Sequence, residues 1–129
     1  MDVAYTQAQK AYKKGEVPIG AVVVKNNKII SKAYNNREKS QIAINHAEII
    51  AIKKACKKLH SWRLDECDLY VTLKPCPMCA GAIVNSRIKT VYYGAEAKND
   101  NENLCENILK NTIRLNHKTN LIYFKNVVK

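Results

Sequence analysis

Ala4, Ala8, Ala11 and Tyr12 recur at helical spacing behind Asp2, a good capping residue, and Gly15 follows as a stop. A first helix between Asp2 and Gly15 is predicted. Residues 17–24 form an apolar run rich in β-branched side chains and read as a strand. Lys25-Asn26-Asn27-Lys28 carries a hairpin-turn signal, 29–35 reads as the returning strand, and the polar segment 36–45 reads as loop. Ala47, Ile50, Ala51, Ala55 and Leu59 share one face of a helix over 47–59. A strand at 68–73, a short helix at 77–86 with Pro77 in its first turn, a strand at 89–94, a helix at 104–115 and a strand at 119–124 complete the pattern. Strand–helix–strand alternation after the hairpin implies parallel crossovers, with helices covering both faces of a mixed sheet.

Composition narrows the function classes. The 129 residues suit one domain spanning 1–129 with one buried core. Hydrophobic residues make up 47% and charged residues 26%, a globular balance. The sequence contains no run of 18 apolar residues that would span a membrane, and its first residues do not form a secretory signal. An odd count of five irregularly spaced cysteines argues against a disulfide framework and for a reducing, cytoplasmic setting. The net charge of +11 suits a polyanionic partner such as nucleic acid. The same charge is also compatible with a solvated lysine surface.

Two short motifs carry candidate chemistry. Cys76-Pro77-Met78-Cys79 falls where a strand gives way to a helix, with Cys76 at the cap and Cys79 in the first turn. Free N–H groups and the helix dipole there favour thiolate, the form that binds zinc. His46-Ala47-Glu48 starts another helix. Two residues two apart within a helix point about 200° apart. His46 and Glu48 can therefore face one site only if His46 lies on the capping turn. Both helix starts can converge at one end of the sheet, where α/β folds place their sites. His46, Cys76 and Cys79 then offer three ligands to one Zn²⁺ per chain, with a fourth position open for water. A closed structural site would need a fourth ligand from Cys56, His60, Cys67, Cys105 or His117. A dithiol redox pair is a further alternative, but it leaves His46 and Glu48 without a role.

His46-x-Glu48 followed by Pro75-Cys76-x-x-Cys79 is the signature of zinc-dependent deaminases. The stretch 17–24, Asn35, His46–Ile49, 70–73, 75–83 and Ser86-Arg87-Ile88 resembles bacterial tRNA adenosine deaminases, within the cytidine/deoxycytidylate deaminase superfamily. The resemblance implies a three-layer α/β/α cytidine-deaminase-like sandwich around a five-stranded mixed sheet, a homodimer, and conversion of adenosine to inosine at a tRNA wobble position. It implies Glu48 as the catalytic proton carrier, and Asn35, with Ile19 and Ala47, as substrate contacts. On residue type alone, Asn35 could equally end a strand by entering a turn.

The sequence departs from that family at three points. Lys74 stands where an acid usually precedes Pro-Cys. Residues 96–100 are polar and glycine-free. The sequence stops at Lys129, just after the last predicted strand, where those enzymes usually continue with an aromatic and basic helix. A deaminase acting on a free base or nucleoside, such as guanine, cytosine or cytidine, is the alternative enzyme. A non-catalytic RNA-binding subunit is the alternative outside enzymes, and the intact Glu48 argues against it. Arg87 and the cluster Lys53-Lys54-Lys57-Lys58 are candidate RNA contacts, the cluster being equally readable as a solvated helix face.

Overall fold

A computed structural model describes residues 1–97, 103–110 and 115–124. The elements run α1 (Asp2–Lys13), β1 (Gly20–Lys25), β2 (Lys28–Tyr34), α2 (Arg37–Ser40), α3 (Ala47–Leu59), β3 (Cys67–Val71), α4 (Pro77–Asn85), β4 (Thr90–Tyr93), α5 (Leu104–Leu109) and β5 (Asn120–Tyr123). The five strands form one mixed sheet in the order β2-β1-β3-β4-β5. β1 pairs antiparallel with β2 and β3, while β3–β4 and β4–β5 are parallel. Each parallel pair is joined through a helix, as the alternation predicts.

The hairpin turns on Asn26 and Asn27, both in the left-handed region (φ 52° and 64°), the primed-turn geometry that matches strand twist. Asparagine tolerates this conformation better than other side chains that carry a Cβ. Alternation along the strands separates two faces. Ala21, Val23, Leu69, Val71, Val91 and Tyr93 join residues of α3, α4 and α5 in the main core. On the opposite side α1 packs against β1 and β2. It approaches so closely that a Cβ at Gly20 would overlap the Ala4 carbonyl oxygen and crowd the Ala8 amide. The three-layer α/β/α arrangement around a five-stranded sheet is therefore the one expected.

The structure corrects several boundaries. The strand expected over 17–24 begins only at Gly20. Pro18 has no N–H for a ladder, and Ile19 N instead donates to the Val17 carbonyl (2.8 Å). Segment 36–45 is not all loop: α2 forms because the Glu16 carboxylate accepts hydrogen bonds from Glu38 N (3.0 Å) and Lys39 N (2.8 Å). β3 starts one residue earlier than predicted and ends at Val71, beyond which Thr72 Oγ1 accepts from Gly20 N (3.2 Å). The helix expected over 104–115 runs to Leu109, and 111–114 lie outside the described residues. No helix among the described residues is long and apolar enough to cross a membrane.

Candidate metal centre

His46 is the residue before α3, with extended backbone (φ −74°, ψ 154°), so it lies on the capping turn that the His-x-Glu spacing demands. Cys76 holds the equivalent place before α4 (φ −72°, ψ 169°), with Pro77 at the first helical position. Cys79 occupies the first turn and is fully buried. These two helix starts bring His46 Nδ1 to 3.7 Å from Cys76 Sγ and 3.5 Å from Cys79 Sγ. With zinc–sulfur and zinc–nitrogen bonds of about 2.3 and 2.0–2.1 Å, tetrahedral ligation places nitrogen and sulfur about 3.6 Å apart. The three donor atoms thus fit one zinc ion. Among the described residues no other three His, Cys, Asp or Glu side chains converge in this way. Two of the alternative ligands are engaged elsewhere: His117 Nε2 contacts the Ile88 carbonyl (2.8 Å), and Cys56 donates to the Trp62 carbonyl (3.8 Å).

Glu48 sits in the first turn of α3 and is 3% exposed. Burial, reinforced by the nearby Cys76 sulfur, pushes its carboxyl up to about 7, against hydrogen bonds from the backbone and from Cys79. Its Oε1 is buried with no hydrogen-bond partner among the described residues. An unsatisfied buried acceptor costs about 1–3 kcal/mol, so this oxygen is suited to a donor from outside the protein, such as a water held at the metal. The Cys76 thiol is pulled down to about 5, first by the hydrogen bond from Cys79 and then by the N–H groups of Cys79 and Met78 and the charge of His46. The same Cys79 hydrogen bond, with burial, pushes the Cys79 thiol up. The helix start thus favours thiolate at Cys76.

A backbone relay ties the expected substrate contacts to this centre. Asn35 N donates to the Ile19 carbonyl (3.1 Å), and Asn36 N donates to the Asn45 carbonyl (3.0 Å), one residue before His46. Asn35 is 4% exposed just beyond the end of β2. Ile19 is half-buried against the core. Ala47 is wholly buried in the core. Arg87 does not stand by the centre. It lies beyond the far end of α4, about 13 Å along a nine-residue helix, where its Nη1 donates to the Val84 and Asn85 carbonyls (3.1 Å each). Its guanidinium also stacks on Trp62.

Lys74 is the departure from the family pattern just before Pro75-Cys76. Its side chain is in fact nearly buried, pairing with Glu96 Oε1 (2.7 Å) and Glu106 Oε1 (2.5 Å), with its ammonium over the Tyr93 ring. Burial opposes the charge, but the hydrogen bonds to Glu106 and Glu96 outweigh it and hold the ammonium above its ordinary value. Tyr93 Oη closes the cluster by donating to Glu96 Oε2 (2.7 Å). The loop after β4 and helix α5 are thereby fastened to the segment that leads into Cys76. Of the glycine-free stretch, 98–100 lie outside the described residues.

A half-buried His/Cys/Cys triangle with an acid buried against it, at the adjoining N-termini of two helices, is how a nucleobase deaminase is built. The chain belongs to the MafB19-like deaminase family, whose sequence profile matches residues 1–128. It is 49% identical over 125 residues to a tRNA-specific adenosine deaminase of Bacillus subtilis, covering 95% of this chain and 76% of that protein. A structure determined in a study of A-to-I editing by tRNA:A34 deaminases at the wobble position superposes with a TM-score of 0.88 at 35% identity, over 96% of this chain and 95% of that one. The guanine deaminase of Bacillus subtilis superposes with a TM-score of 0.74 at 38% identity, over 99% of this chain and 83% of that one.

Proposed function

We propose that this chain is a zinc-dependent hydrolytic deaminase that converts adenosine to inosine, with the wobble position of a tRNA as its target. One observation carries the chemical part of this reading: His46 Nδ1 and two thiols stand at tetrahedral separation, beside a buried carboxyl with one unbonded oxygen. One Zn²⁺ per chain, held by His46, Cys76 and Cys79, would supply Lewis acidity and a water whose pKa falls from 15.7 toward about 7. Glu48 takes up two protons in turn at its buried carboxylate and delivers one to the ring nitrogen and one to the departing amine. The helix dipoles at the starts of α3 and α4 favour negative charge as it develops between them. Asn35, Ile19 and Ala47 border the base.

The Bacillus relative's action on tRNA and the net charge of +11 support RNA as the substrate. The same reading includes a two-fold homodimer working in the cytoplasm, where the five free thiols stay reduced. The likeness to guanine deaminase favours a second reading, a free purine base as substrate. The deciding experiment incubates the zinc-replete protein with an adenosine-containing anticodon stem-loop RNA, beside free adenosine, guanine and cytidine. Inosine in the RNA is expected. Ammonia release from a free base without inosine in the RNA would replace the first reading with the second.

A further inference from the structure

Three of the four lysines of α3 border a groove. A groove of about 570 Å³ runs along this helix, and Lys53, Lys54 and Lys57 line it together with Ile50. Its other wall includes Asn36 and Asn45, the chain neighbours of Asn35 and His46. One end of the groove is thus lined by residues next in sequence to Asn35 and to the candidate ligand His46. Glu48 is the one acid within α3, and it is buried in that centre. Lys54 Nζ donates to the Lys32 carbonyl (3.1 Å). Among the described residues neither Lys53 nor Lys57 has an acidic partner, and both are exposed. They lie one turn apart on the same side of the helix, about 6 Å along its axis. A groove with an apolar floor and unpaired ammonium groups on its wall matches a single nucleic-acid strand, whose bases rest on apolar surface while its phosphates meet cations. A second copy of the chain fits less well, because two-fold pairing through this face would set the same unpaired lysines against each other.

Resting on the proposed action on RNA, we infer that this groove holds the RNA strand flanking the target nucleotide, with Lys53 and Lys57 neutralising two of its phosphates. The strand enters at Asn36 and Asn45 and follows α3 away from the metal centre.

The test measures binding of a stem-loop RNA, with an adenosine in its loop, to the zinc-replete protein across a range of salt. Removing two phosphate contacts with Lys53→Gln/Lys57→Gln should lower the slope of log Kd against log salt by about 1.4, at ~0.7 for each contact on a single strand. Between about 50 and 200 mM salt this narrows the loss of affinity about sevenfold. Lys53→Arg/Lys57→Arg should keep the wild-type slope. Lys10→Gln/Lys13→Gln, an equal charge loss on α1, should leave it unchanged. An unaltered slope in the Gln variant, while the wild type binds and edits the RNA, overturns the groove assignment and leaves the proposed function standing. An equal fall in the α1 variant overturns it too, because general charge then accounts for binding. A change of oligomeric state in the Gln variant, seen by light scattering with no change of slope, assigns the groove to a second copy instead. Wild-type protein that neither binds nor edits RNA fails the proposed function itself.

Discussion

His46 Nδ1 stands 3.5 Å from Cys79 Sγ, although 33 positions separate them in sequence. Only the meeting of two helix N-termini produces that contact, and only a cation gives these donors a shared partner. Purified protein should carry about one zinc per chain. Cys79→Ala should lose it, as read by elemental analysis of the dialysed protein. Full zinc retention in that variant would rule out the ligand set.

In the proposed function Glu48 carries protons and does not hold the metal. Glu48→Gln should bind zinc as well as the wild type and keep its melting temperature, yet turn over at least about 10²-fold more slowly. Single-turnover rates of the zinc-replete variant provide the check, and near-normal turnover would exclude the role.

Lys74 stabilises the approach to Cys76 through Glu96 and Glu106. Lys74→Met should leave both carboxylates without their shared cation. A cost of about 2 kcal/mol is expected, since hydrogen bonds to charged groups are worth roughly 1.5–3 kcal/mol, with the exposed side of Glu96 keeping it from being larger. Denaturant titration measures it. Pairing Lys74→Met with Glu106→Met, which removes one of the stranded charges, should recover part of the loss.

Glu16 makes stability depend on pH. Its carboxylate accepts the Glu38 and Lys39 amides, which hold it below its ordinary value of 4.5. A group depressed in the folded state stabilises the protein fully above its unfolded value, and the gain disappears as pH falls through the folded value. Glu16→Gln should therefore melt below the wild type at pH 7, and the two melting curves should converge under acid. A gap that persists at the lowest pH would show that the side chain acts by packing alone.

Gly20 has no room for a methyl group, because it would meet the Ala4 carbonyl oxygen, the Ala8 amide nitrogen and the Gln7 Cβ of α1. Gly20→Ala should cost about 3 kcal/mol, the upper part of the usual overpacking range, and calorimetry would show it as a lowered melting temperature.

The metal centre was legible in the sequence because its chemistry sits at helix starts. Pro77 marks one start, and the spacing of His46 and Glu48 permits only a capping geometry at the other. The element order was legible from periodicity, and the Asn26-Asn27 turn from residue type. Long-range polar pairing left no such trace. Lys74 meets partners 22 and 32 positions later, and Glu16 caps amides 22 and 23 positions later. Neither separation belongs to a helical or strand period. Sequence order places Arg87 after the Cys79 helix, and the structure adds that its guanidinium closes the far end of that helix.

The hydrogen bond from Lys54 to the Lys32 carbonyl also bears on how the chain behaves in company. β2 is an edge strand, and the outer row of backbone groups on such a strand is a template on which other chains can add. Here an ammonium group from α3 already occupies a carbonyl on that strand, and Lys28 and Lys32 project charge from its exposed positions. An incoming strand would have to displace the first and bury the others. The same lysine-rich surface that suits a polyanion thus also guards this edge of the sheet against aggregation.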